Sequence, residues 1–146
     1  MKLPKYPLSS SNRLMTFEFT SEGQRGLIRK VVQYQPTNLK DIYNLAFGDK
    51  DNAADSIDDT VISNNGDSEK VMATVAATAY AFTDRYPDAG IYATGSTKAR
   101  TRLYRMGIAK FLEEVSEDFE VLGERNGAWE EFRRNVEYEG FLVRRK

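Results

Sequence analysis

Residues 94–105 read TGSTKARTRLYR. Thr94, Gly95, Ser96 and Thr97 supply hydroxyls and a flexible backbone just ahead of a helix-compatible run that carries Lys98, Arg100, Arg102, Tyr104 and Arg105. A helix starting here would offer unpaired N–H groups and the positive end of its dipole to an anion. Arginines one turn further on suit a bidentate grip on phosphate or carboxylate. A phosphate-bearing small molecule, a nucleotide or a nucleic acid is the ligand class that fits. The same residues also have a plain structural reading, in which Ser96 or Thr97 caps the helix and the cations pair with Glu113, Glu114, Glu117 or the acidic stretch. Helical spacing puts Lys98, Arg102 and Arg105 (i, i+4, i+7) on one arc and groups Arg100 with Tyr104 on another. Ala99, Leu103 and Met106 fall on the arc expected to meet the core.

Composition removes most other chemistry. The chain has no histidine and no cysteine, so imidazole triads, thiolate nucleophiles, disulfides and cysteine-based metal sites are excluded. Any general acid or base is Asp, Glu, Lys, Tyr, a terminus or bound water. With 21 Lys plus Arg against 22 Asp plus Glu, the net charge of −1 argues against a surface that coats polyanions as a whole. A local basic patch remains compatible with it. DKDNAADSIDD, residues 49–59, offers Asp49, Asp51 and Asp55 to a cation, but an EF-hand register would need glycine at Ala54 and glutamate at Thr60, so a solvated acidic loop and no metal is the expectation. NNGDSEK, residues 64–70, has one glycine where a phosphate loop needs more, and reads as a turn with an N-cap. Trp129 and Tyr138 read as core or sheet-covering residues, and the terminal Arg-Arg-Lys as a solvated tail.

The elements that would position these residues fit one domain spanning 1–146. Residues 1–12 form an extended lead-in. From Leu14, alternation puts Met15, Phe17 and Phe19 on one face of a strand; after a turn at 21–26, Leu27 to Gln35 makes a second strand with Ile28, Val32 and Tyr34 on one face. Tyr43, Leu45 and Phe47 alternate in a third, although Asn38 could instead cap a short helix, and TVISNN reads as a fourth. From Asp67 to Tyr86 the period becomes helical. Val71, Met72, Val75, Ala76, Ala79, Phe82 and Tyr86 share the buried arc, while Ala73, Thr74, Ala77, Thr78 and Ala81 leave the other side small enough for close approach. GIYATGS follows as a strand, Thr97 to Leu112 as a second helix and Phe119 to Gly123 as a strand. Ala128 to Asn135 reads as a short third helix, before a last strand through Tyr138, Phe141 and Val143. The expected class is α+β: an N-terminal β-meander, then α-β-α-β, with two main helices packed on a mostly antiparallel sheet.

Two resemblances lie on these residues. YNLAFGD, ISNNGDSEKVMATVAATAYAFTDRYPDA and IYATGSTKARTRLYRMGI resemble an uncharacterised family of short bacterial proteins, a domain of unknown function, over nearly the whole chain. More loosely, residues 59–123, with their LYRMGI helix end, resemble the cofactor-binding half of GCN5-related N-acetyltransferases. That resemblance implies coenzyme A as cofactor, held through its pyrophosphate by the loop Asn64 to Lys70, with Tyr104 protonating the departing thiolate.

No segment is apolar over a membrane-spanning length and the N-terminus lacks a signal sequence, so a cytoplasmic protein without a membrane association is expected. Three functions remain: a binding domain with an anion site at 94–105 and no cofactor, a coenzyme A-dependent acyltransferase, and a protein-interaction component, as a homodimer or with another partner, in a small regulatory or stress system. The binding domain is preferred, and catalysis is not required by any residue pattern.

Overall fold

The computed structural model describes residues 4–11, 13–51, 56–58, 66–95 and 97–146. Its strands are β1 (Ser9–Ser10), β2 (Thr16–Gly23), β3 (Gly26–Pro36), β4 (Ile42–Asp51), β5 (Ser56–Asp58), β6 (Gly90–Ala93), β7 (Phe119–Arg125), β8 (Ala128–Glu131) and β9 (Gly140–Arg145). The helices are α1 (Ser68–Arg85), α2 (Lys98–Lys110) and α3 (Leu112–Asp118). The strands form one sheet in the order β1-β2-β3-β4-β6-β9-β7-β8, with β5 added to the far end of β4. Among the described strands only β4 and β6 run parallel, joined through α1. The expected class, a meander followed by helices on a mostly antiparallel sheet, is the class observed.

Alternation settles which face of the sheet is covered. Phe17 and Phe19 of β2 pair with Val32 and Lys30 of β3, which in turn pair with Phe47 and Asp49 of β4. The same side continues through Ile91 and Ala93 of β6 and Val143 and Phe141 of β9. The apolar residues of this side and α1 form the core. The rings of Tyr34 and Phe82 stack with centroids 4.2 Å apart, so the centre of α1 sits directly on β3.

α1 carries three threonines that are almost wholly buried, Thr74, Thr78 and Thr83. A buried hydroxyl must be hydrogen-bonded. Each of these donates back to its own helix, to the carbonyls of Lys70 (2.7 Å), Val75 (2.6 Å) and Ala79 (2.7 Å). With its proton so placed, each oxygen is left as an acceptor and receives a donor from a different part of the chain. Thr74 accepts from the Tyr6 backbone N–H at 2.9 Å, Thr78 from the Tyr34 hydroxyl at 2.8 Å and Thr83 from Arg145 Nε at 2.8 Å. Burial pushes the Tyr34 phenol far above its ordinary value, which keeps it protonated and able to donate.

The ends of α1 are held separately. Asp67 stands at the N-cap position, but its side chain makes no cap bond; it accepts from the Tyr6 and Ser21 hydroxyls instead, fastening the lead-in and β2 to the helix start. At the other end Arg145 bonds the Tyr80 carbonyl at 3.1 Å and Asp84 at 2.5 Å, a cation where the helix dipole favours one.

Several elements differ from the reading of the sequence alone. The segment 128–135 is not a helix: β8 returns along β7 through Asn126 and Gly127, with φ of 54° and 78°. Two consecutive positive φ angles make the two-residue hairpin turn that Asn-Gly favours. The second helix stops at Lys110 and restarts as α3 after Phe111. Asp49 to Asp51 completes β4 and 56–58 forms β5, where the stretch reads as a loop. The third strand is present as β4, and its alternative, a helix capped by Asn38, is not. The fourth strand expected at 60–65 lies outside the described residues. Tyr138 precedes β9 rather than belonging to it.

The relay through Thr78 makes a specific prediction. Thr78→Val preserves shape but leaves the Tyr34 hydroxyl buried without its acceptor, and should destabilise the protein by about 1–3 kcal/mol in urea unfolding. Adding Tyr34→Phe should recover part of that loss, giving a favourable coupling in the double-mutant cycle; simple additivity would contradict the relay.

Candidate functional site

β4 is longer than its neighbours on one edge. β6 pairs with its first half, Ile42 to Leu45, and β5 with its end, Asp49 to Asp51. Where β6 stops at Ala93, opposite Leu45, the chain turns through 94–97 into α2. The turn singled out by the sequence therefore lies at the carboxyl end of the parallel β4–β6 pair, a position where α/β proteins commonly place ligands.

The groups of this turn are engaged in holding it. Thr94 Oγ1 donates to the Glu139 carbonyl at 2.8 Å, and Gly95 N–H donates to Thr101 Oγ1 at 3.0 Å. Thr97 caps α2 by accepting from the Arg100 N–H at 3.1 Å. A Cβ on Gly95 would come within 2.5 Å of both Arg100 Cβ and the Thr101 backbone nitrogen, so the first turn of α2 packs directly on this glycine. Ser96 lies outside the described residues.

The cations divide between the two sides of α2. Arg100, Tyr104 and Gly107 are the buried residues of the helix. Arg100 is 3% exposed and its guanidinium lies over the Phe47 ring, 5.4 Å from the centroid. Two residues along from Phe47, on the same face of the sheet, buried Lys30 is ion-paired with Asp49. Lys98, Arg102 and Arg105 each stand two residues before a buried one, about 200° round the helix. Lys98 and Arg102 are exposed and Arg105 is half-buried. Among the described residues none of the three has an ion-pair partner; Lys110 does, 3.8 Å from Glu69. Pairing of the stripe with Glu113, Glu114 or Glu117 is thus not what the structure has.

The core arc expected for α2 is corrected by this packing. Ala99 is exposed and Met106 is 56% exposed, with Leu103 only partly covered. A helical wheel weighs only polarity; the folded helix turns an arginine stem, a tyrosine and a glycine inward. Tyr104 is 3% exposed within the core, turned away from the cationic face.

A space with no local signal in the residue pattern lies behind α2. It measures about 90 Å³ and is bounded by α1, by the bend between α2 and α3, and by the sheet. Among the described residues no group of three or more carboxylates could hold a metal ion, and no helix is long and apolar enough to cross a membrane.

A family model described as "Family of unknown function (DUF6934)" matches residues 2–146. The chain belongs to that family. No curated protein and no solved structure matches it, and the comparisons give no support to an acetyltransferase.

The two classes of cation should respond differently to removal. Arg100→Ala should lower stability by about 1 kcal/mol or more through loss of buried packing and of the contact with Phe47. Arg102→Ala should stay within about 0.5 kcal/mol of the wild type. Urea midpoints measured side by side check this, and equal losses would contradict the division of α2 into two faces.

Proposed function

We propose that this chain is a cytoplasmic binding domain rather than an enzyme, and that the outer face of α2 engages a phosphate-bearing ligand, best matched by a nucleic acid backbone. The observation that carries this reading is the stripe Lys98, Arg102 and Arg105, turned outward without carboxylate partners among the described residues. Seven residues of helix place its ends about 10 Å apart along the axis, enough to reach successive phosphates rather than one. The turn 94–97 contributes chiefly by fixing the start of the helix, since its Thr94, Gly95 and Thr97 groups already have partners. Arg100 and Tyr104 support the helix from behind rather than touching the ligand.

A second reading, that of a protein-interaction component, is favoured by the helix-free face of the sheet. There Trp129 is 41% exposed and meets Tyr92 edge-on, with ring centroids 5.9 Å apart, beside half-buried Leu122 and Leu142. A dimer or partner complex through this face would be weakened by Trp129→Ala.

Binding to single-stranded RNA or DNA, followed as a function of salt, tests the preferred reading. Three phosphate contacts should give a slope of log affinity against log salt of about −2, and Arg102→Ala with Arg105→Ala should reduce its magnitude by about 1.4 while leaving the melting temperature unchanged. Absence of binding, or an unchanged slope in the double variant, would remove the stripe from consideration.

A further inference from the structure

The space behind α2 is walled by hydrocarbon. Ile91 and Val143 of the sheet form its floor, Ala76 and Ala79 of α1 one side, and Ile108 of α2 with Val115 of α3 the other. Its origin is local. α1 presents two alanines, Ala76 and Ala79, to the space, and the helix opposite breaks at Phe111, between Ile108 of α2 and Val115 of α3.

Protein interiors are ordinarily packed to the density of organic crystals, and an empty space of this size is unfavourable. At about 90 Å³ it could accommodate water by volume, yet its walls offer water too few partners. Apolar cavities of this order stay dry and take up small apolar molecules such as benzene or xenon. Ala76, Ala79, Ile108 and Val115 are only half-buried, so the space is reached between the helices rather than sealed beneath them.

The walls also discriminate by charge. Tyr80 lines the space but gives its hydroxyl to Asp118 at 2.7 Å, and Arg145, stacked on the rings of Tyr80 and Phe119 with its guanidinium 5.0 Å from each centroid, is itself paired with Asp84. A carboxylate or phosphate head would therefore give up its hydration against hydrocarbon, which a neutral guest does not have to do.

We propose that the space between α1 and the α2–α3 bend is a binding site for a small uncharged molecule with a hydrocarbon body the size of a single aromatic ring or a short alkyl chain. The site is separate from the cationic face of α2 and does not rest on it.

The test uses the full chain with benzene, indole and hexanol, and with hexanoate as the charged counterpart of hexanol. Methyl NMR and thermal melting are the readouts. The expected result is a rise in melting temperature with the neutral probes, with methyl shifts confined to residues that line the space, Ile91, Ile108, Val115 and Val143 among them, and little response to hexanoate. Ala79→Leu, which fills the space, should abolish both responses; if that variant does not fold, Ala76→Leu serves instead. No response to any neutral organic probe, or uptake of xenon alone, would mark a packing void and overturn the proposal. Binding that persists in a folded, filled variant would overturn the location. Equal binding of hexanoate would overturn the charge preference.

Discussion

The position of α1 depends on a single device used three times: a buried threonine hydroxyl that gives its proton to the helix and its lone pair to another element. Thr74, Thr78 and Thr83 receive donors from the N-terminal lead-in, the centre of the sheet and the last strand respectively. Each bond contributes only about 0.5–1.5 kcal/mol net. Their larger effect is positional, because losing an acceptor strands a buried donor, and three such points along one helix leave it no other register on the sheet. The stacked rings of Tyr34 and Phe82 add apolar contact at the middle point.

With α1 fixed, α2 has one way to pack. Its inner side fits Arg100 over Phe47 and sets Gly107 against Met72, while the residues two positions earlier point outward. The same helix therefore serves two environments: an inner wall beside an apolar space and an outer row of cations. Arg134, whose Nε bonds the Ala109 carbonyl at 3.1 Å, ties the far end of α2 to the loop before β9. A scaffold held at both ends of its second helix can present charge on one side without unsettling the core on the other.

Much of this was legible in the sequence where local pattern and tertiary packing agree. The alternation of Phe17 and Phe19, the strand through Tyr34, and the apolar arc of Val71, Val75 and Phe82 all mark buried positions. The pattern failed where burial depended on a partner far along the chain. Arg100 counts as polar on any wheel, yet its stem and planar head are covered once Phe47 lies beneath it. Thr74 and Thr78 read as part of a small-residue face and Thr83 drew no reading at all; nothing local shows that each hydroxyl would be claimed by another element. The hairpin of β7 and β8 was announced by Asn126-Gly127, a stronger signal than the helical spacing read across 128–135. In the candidate site, spacing grouped Lys98, Arg102 and Arg105 on one arc and offered Ser96 or Thr97 as the cap, but which arc faces out depended on the burial of Arg100, the engagement of Thr94 and Gly95 on Glu139 and Thr101, and the apolar space on a helix break.

Native-state hydrogen exchange, resolved by residue, bears most directly on the claim that α1 is fixed by its threonine relays. The amides from Met72 to Phe82 should exchange only through global unfolding, with the same opening free energy as the central amides of β3. If α1 opened at a distinctly lower free energy while β3 stayed protected, the helix would be a removable cover rather than the element on which α2 and its two faces depend.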